Sequence, residues 1–311
     1  MSLDRYLLRP EELQLPLDAH AIFEREAPLA VEVGFGGGEY LGWWAQQHPE
    51  WNFIGIELPP DCIFRAARLL HDADVPNVKL IRGDARYLLR ELFPPASLDH
   101  VLMQFPMPWP KDKHAKHRVY SPAFAATLAD VLKPGAPFEL VTDQDWYGRE
   151  TAEVFSARLD FQASALEVDP ERPFRTRYER KWLEEGRSIY RFLARLEQPA
   201  SAPRILFPEA MECHAIDPIP DAEAVRALLG RRFKEGESVA EVKEVMQTAD
   251  GWLLRILSSD ASFSQLFHVR IRNKEDGRCL LKIDEVPRPY YTEAVRFGLR
   301  SIAGCFAYQS R

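Results

Sequence analysis

Apolar and polar positions follow two rhythms along the first two-thirds of the chain. Short apolar runs, too brief for helices, are separated by longer stretches whose apolar positions recur at helical spacing. "LAVEVGFG" reads as a first strand and "EYLGWWAQQH" as the helix after it. "NFIGIEL" is a second strand backed by the helix "DCIFRAARLLHDA", and "VKLIRGDA", "LDHVLMQF" and "APFELVTD" supply the third, fourth and fifth strands. Strand, turn and helix in repeated order predict a parallel sheet covered by helices, a doubly wound Rossmann-like α/β fold.

The rhythm breaks at "LEQPASAPRILFPEA", where Pro199, Pro203 and Pro208 interrupt any steady period. The expected division is therefore an α/β domain over residues 1–198, a Pro-rich linker over 199–210, and a small C-terminal α+β domain over 211–311. In the last part "DAEAVRALLGRRF" predicts a helix, "EVKEVMQTADGWLLRILSSD" two strands joined at an Asp-Gly turn, and "FHVRIRNKEDGRCLLKIDEV" a second hairpin. A closing helix from about Tyr290 places Val295, Leu299, Ile302 and Phe306 along one side. In "FHVRIRN", Phe267, Val269 and Ile271 alternate with a cationic row of His268, Arg270 and Arg272. That row reads either as the wet face of a sheet or as a grip on nucleic acid.

Composition changes this picture little. The 311 residues are 46% hydrophobic and 28% charged, and no apolar run reaches the roughly 18 residues of a membrane span. The cysteines Cys62, Cys213, Cys279 and Cys305 match no metal or redox spacing, so a reduced, cytoplasmic protein without structural metal is expected. Charge is more informative in its distribution than in its sum of −7. Residues 1–110 hold 9 Lys/Arg against 16 Asp/Glu, and the remainder balances. Within the balanced part cations bunch around Lys111–Arg118 and Arg172–Lys181, which favours a polyanionic partner.

"VEVGFGGGEY" sets Gly34, Gly36, Gly37 and Gly38 between a strand and a helix, where backbone N–H groups can approach a ligand. A dinucleotide fingerprint needs a glycine at the sixth position from Gly34, and that position is Glu39. The spacing instead fits an S-adenosylmethionine turn. Ligands in an open α/β sheet lie outside the carboxyl ends of the strands. There Glu57 can accept from ribose hydroxyls, Asp84 can lie near the adenine, and Glu32 near the ammonium end. Each acid alone also reads as a helix cap or a solvated turn.

The fourth strand runs into "QFPMPWPKDKHAKHR". Pro106, Pro108 and Pro110 stiffen this loop, and Trp109 offers either a stacking platform or a piece of core. The following cations Lys111, Lys113, Lys116 and Arg118 suit phosphate, with His114 and His117 adding hydrogen bonds.

Taken with "VTDQDWY" and "RTRYERKWLEEGRSIYRF", these segments cover about residues 30–197 in the order found in bacterial TrmB-type tRNA (guanine-N7)-methyltransferases, which the chain resembles. The resemblance implies a class I methyltransferase sheet, S-adenosyl-L-methionine as cofactor and tRNA as partner, with the variable-loop guanine at position 46 as target. It implies cofactor contacts at Glu32, Gly34, Gly36, Gly38, Glu57, Asp84 and the position of Met107. It implies substrate contacts at Lys111, Asp143, Thr176, Arg177, Tyr178 and Glu179, and tRNA backbone contacts at Lys113, Lys116 and Arg118. Asp143 and the Met107 position are the implied catalytic sites. The family usually carries aspartate where this chain has Met107, which leaves a weakly catalytic RNA-binding protein, or an enzyme for another RNA, as alternatives. The segment beyond about Ala200 is an extension that only some members carry.

Overall fold

The computed structural model describes residues 3–111, 118, 120–207, 212–217, 219–261, 263–274, 278–284 and 286–307. Contacts divide the chain into two units, Met1–Arg204 and Ile205–Arg311. In the first unit the elements are β1 (Leu7–Leu8), α1 (Ala19–Phe23), β2 (Leu29–Val33), α2 (Glu39–Gln47), β3 (Asn52–Glu57), α3 (Pro60–Asp72), β4 (Val78–Arg82), α4 (Ala85–Leu92) and β5 (His100–Gln104). They continue with α5 (Pro122–Val131), β6 (Pro137–Thr142), α6 (Asp145–Ser156), β7 (Phe161–Ala163), β8 (Glu167–Val168), α7 (Arg177–Glu184) and β9 (Tyr190–Leu196).

The strands form one sheet in the order β1-β4-β3-β2-β5-β6-β9-β7, with β8 pairing to β9. β2 is buried at all five positions, as a strand paired on both edges and covered on both faces must be. Helices α2 and α3 pack together, as do α4 with α5 and α5 with α6, in two layers. Strands β1 to β6 pair in parallel, whereas β9 is antiparallel to both β6 and β7. The five sequence-read strands are all present. The antiparallel edge is not part of the sequence reading: β7 and β8 have only 3 and 2 residues and show no periodicity, while the 7-residue β9 follows α7 without a recognised strand pattern.

Chain order reverses between β2 and β5, since β3 and β4 follow β2 to one side while β5 and β6 lie to the other. At such a switch point adjacent loops leave in opposite directions and open a crevice. The glycine loop after β2 and the proline-rich loop after β5 both begin there.

The second unit contains β10 (His214–Ile216), α8 (Ala222–Arg226), β11 (Arg232–Glu235), β12 (Ser238–Thr248), β13 (Gly251–Asp260), β14 (Phe263–Asn273), β15 (Cys279–Ile283) and α9 (Glu293–Ala307). Its antiparallel sheet runs β10-β15-β14-β13-β12-β11. Val295, Leu299, Ile302 and Phe306 of α9 are all buried in a core with Leu254, Ile256, Phe267, Val269 and Ile271. The Asp250-Gly251 turn is present, and a Cβ on Gly251 would lie 2.0 Å from the Ile271 carbonyl oxygen, so only glycine fits. The helix predicted over "DAEAVRALLGRRF" is shorter than its sequence pattern. It stops at Arg226, Gly230 turns at φ +75, and Arg232 pairs in register with Glu241. Of the cationic row, Arg270 pairs with Asp284 at 3.1 Å and Arg272 with Asp250 at 2.8 Å, so neighbouring acids offset its charge.

Candidate functional site

Gly34, Gly36 and Gly38 all have positive φ (+74, +58 and +80), a conformation that disfavours other residues. At Gly38 a Cβ would also lie 2.7 Å from the Ala66 Cβ, so the turn lies close against α3. Beside the glycine loop Glu57 ends β3, where its Oε2 accepts from the Gly36 amide at 2.9 Å and its Oε1 from Leu58 at 2.8 Å. These bonds hold the carboxylate beside the loop while leaving lone pairs for a ligand hydroxyl.

Glu32, in the middle of the sheet, is 2% exposed. Its Oε1 accepts from Gln104 Nε2 at 3.2 Å, while Oε2 is buried without a hydrogen-bond partner among the described residues. Burial pushes its carboxyl up to about 8, against the opposing influence of Gln104 and Arg172. An orphaned carboxylate oxygen next to a glycine crevice suits a cationic N–H group. The residues present therefore fit an aminoacyl nucleoside such as S-adenosylmethionine. Asp84 caps α4 through the Arg86 amide, one of the readings its position allows, and pairs with the Arg86 guanidinium at 2.6 Å.

The loop after β5 turns sharply, with φ +49 at Phe105 and +46 at Trp109. Met107 is 67% exposed and Trp109 37%, so Trp109 is not core. Lys111 is exposed, whereas Lys113, Lys116, Asp112, His114 and His117 lie outside the described residues. Arg118 is engaged by groups of the protein itself. Its guanidinium donates to the Trp109 carbonyl at 3.1 Å, pairs with Glu150 at 3.3 Å and lies over the Trp146 ring, with its side chain only 10% exposed.

Asp143 follows β6, and its carboxylate accepts from Arg187 at 2.9 Å and from Gln144 Nε2 at 2.7 Å. It is not the cap of the next helix: Gln144 holds the N-cap position of α6. Thr176 does cap, its hydroxyl accepting from the Glu179 amide at 3.3 Å at the start of α7. The Thr-x-x-Glu spacing has the form of a capping box, yet the Glu179 carboxylate turns inward to Arg172 at 2.9 Å and is 1% exposed. Of the expected run, Arg177 and Tyr178 remain at the surface, where Arg177 lies 5.0 Å over the Tyr178 ring. Tyr178 stacks at 6.0 Å on Trp182, which in turn contacts Phe105 at 4.8 Å and so joins α7 to the β5 loop.

Sequence reasoning counted Arg172 only as part of a cationic run and gave no role to Gln104, Trp182 or Arg187. Gln104 left a signal, as a polar residue closing the apolar strand "HVLMQ". The other three gain their roles from contacts 44 to 77 positions distant along the chain.

A mostly parallel sheet with a glycine turn after its central strand, an acid ending the next strand and a crevice at the switch point has the form of a Rossmann-like class I methyltransferase fold. Residues 26–192, more than half of the chain, match the family model described as "Putative methyltransferase". The chain is 35% identical over 305 residues to the tRNA (guanine-N(7)-)-methyltransferase of Thermotoga maritima, covering 97% of each chain. It is 30% identical over 289 residues to that of Thermus thermophilus, covering 92% of this chain and 91% of the relative. The Geobacter metallireducens relative is matched over 90% of its length by 60% of this chain, at 35% identity. The chain belongs to the tRNA (guanine-N(7)-)-methyltransferase family, and the Thermotoga and Thermus matches extend through the second unit.

Proposed function

We propose that this protein transfers the methyl group of S-adenosyl-L-methionine to N7 of a guanine in tRNA, at variable-loop position 46, and that it does so in the cytoplasm. Family membership along both units carries the reading, and the crevice between the glycine loop and the β5 loop supports it. When bound, S-adenosylmethionine supplies an electrophilic sulfonium methyl group.

Guanine N7 has a lone pair and no proton at neutral pH, so the protein needs no general base there. Its task is to position the base, which can lower a barrier by about 7–11 kcal/mol in well-oriented cases. Glu32 holds the ammonium group through its unpartnered oxygen, Glu57 the ribose hydroxyls, and the backbone of Gly34, Gly36 and Gly38 the turn of the ligand. Asp84 bounds the adenine side together with Arg86. Asp143 accepts from the N–H groups of guanine's Watson-Crick edge, leaving N7 exposed, and its charge offsets the cation that forms on the base. Arg177, Tyr178, Lys111, Lys113 and Lys116 contact the RNA. Thr176, Glu179 and Arg118 act through structure, by holding α7 and the β5 loop in place. Met107 adds an uncharged wall at the position where the family resemblance implies an aspartate.

The test incubates the purified protein with methyl-labelled S-adenosylmethionine and unmodified tRNA, then maps N7-methylguanine by chemical cleavage. Label at guanine 46 is expected. Label at another nucleotide would reassign the target, and no label would remove the activity.

A further inference from the structure

Four buried polar side chains of the first unit lie in single file. Glu32 accepts from Gln104 Nε2 at 3.2 Å, Gln104 Oε1 accepts from the Arg172 guanidinium, and Arg172 pairs with Glu179 at 2.9 Å. Glu32, Gln104 and Glu179 are 2%, 5% and 1% exposed, and the Arg172 side chain is 4% exposed. The file runs from the centre of the sheet to the first turn of α7.

Gln104 is the linking group because its amide donates at one end and accepts at the other. Neither a carboxylate nor a cation can do both, and an apolar side chain would leave the groups on either side unpaired. A buried ion pair confers little stability over apolar packing, so the file is better explained by what it orders than by what it stabilises.

Further contacts bind the same segment to α2, the helix that the glycine loop opens. The Phe174 ring stacks on Trp43 at 5.3 Å and 18°, the Arg177 amide donates to Glu39 Oε2 at 2.7 Å, and Arg172 lies 5.5 Å over the Tyr40 ring. The segment that carries Arg177 and Tyr178 is thus attached both to the floor and to the rim of the glycine crevice.

We propose that Gln104 and Arg172 are positioning residues that couple occupancy of the glycine-loop pocket to the placement of residues 172–182. A cation beside Glu32 Oε2 holds the carboxylate ionised and strengthens its hydrogen bond from Gln104. The polarised amide then accepts more strongly from Arg172, which fixes Glu179 and the first turn of α7. Thermodynamic reciprocity requires tRNA to favour cofactor binding by the same factor. The proposal rests on the reading of the crevice as the cofactor site and of Arg177 and Tyr178 as RNA contacts.

The experiment measures binding of unmodified tRNA to the full chain with and without saturating S-adenosylhomocysteine, and binding of S-adenosylhomocysteine with and without tRNA. In the natural protein each ligand tightens the other by about fivefold or more. In Gln104→Met and in Arg172→Lys the factor falls toward one, whatever the affinity of each variant for either ligand alone. Arg172→Lys keeps a cation opposite Glu179 and so preserves the fold if Gln104→Met does not. Hydrogen exchange of the unaltered protein supplies a second readout: S-adenosylhomocysteine slows exchange across residues 172–182 as well as in the glycine loop. Protection confined to the glycine loop, or an unchanged coupling factor in folded variants, overturns the relay. Failure of the natural protein to bind S-adenosylhomocysteine at all would overturn the cofactor reading and the relay with it.

Discussion

The Arg118 guanidinium carbon lies 4.8 Å from the centre of the Trp146 ring, while the guanidinium donates to the Trp109 carbonyl. A residue that reads as a phosphate contact in sequence therefore fastens the β5 loop to α6. Arg118→Ala should lower kcat about tenfold or more, because a loop displaced by an ångström misaligns the reacting atoms. The salt dependence of tRNA affinity should stay unchanged. A fall in the log–log slope of about 0.7–0.9 would restore Arg118 as a phosphate contact.

Asp143 is held by Arg187 and does not cap α6. Asp143→Asn should reduce methyl transfer by about a hundredfold, the scale of losing one charge-stabilising group. Because the Asp143 side chain is only 10% exposed while Arg187 is 45% exposed, weakening this pair should also cost about 1–3 kcal/mol of stability. Turnover and urea denaturation measured on the same preparation separate the two effects, and normal turnover would remove the guanine-reading role.

Met107 is 67% exposed, and a carboxylate there would be solvated and partly screened. Met107→Asp should accordingly change the methylation rate by less than about tenfold, since positioning dominates. A gain of a hundredfold in single-turnover rate would show that the missing charge limits the natural protein.

Glu32 has its carboxyl raised from the ordinary 4.5 to about 8 by burial. An acid whose folded pKa exceeds its unfolded value binds more protons when folded between those two values. Its contribution to stability is therefore largest near the lower value and falls as pH rises through the window to about 8. Thermal unfolding midpoints of the ligand-free protein should fall across that range more steeply than those of Glu32→Gln. Parallel profiles would place the Glu32 titration elsewhere.

Asp130 is 4% exposed and pairs with Arg204 at 3.3 Å, and Arg204 also donates to the Phe93 carbonyl at 3.1 Å. A chain ending at Arg204 keeps this pair, and one ending at Gln198 leaves the buried carboxylate without that cation. The shorter chain should be less stable by about 1–3 kcal/mol in urea denaturation. Equal stability would assign the Pro-rich stretch no part in the first unit's fold.

The alternation of apolar runs with amphipathic stretches determined five parallel strands, the helices between them and the closing helix, because burial on one or both faces imposes a period on the chain itself. The glycine spacing, the acids at strand ends and the run of cations after the fourth sequence-read strand were legible for the same reason, since each is a local pattern. The partners of the charged groups were not. Glu32 joins Gln104, Arg118 joins Trp146, Asp143 joins Arg187 and Glu179 joins Arg172, across separations of 72, 28, 44 and 7 positions respectively. Only the tertiary structure decided which charges face a ligand and which neutralise one another, because electrostatic pairing depends on distance in space and burial, and neither is written in a residue's neighbours along the chain.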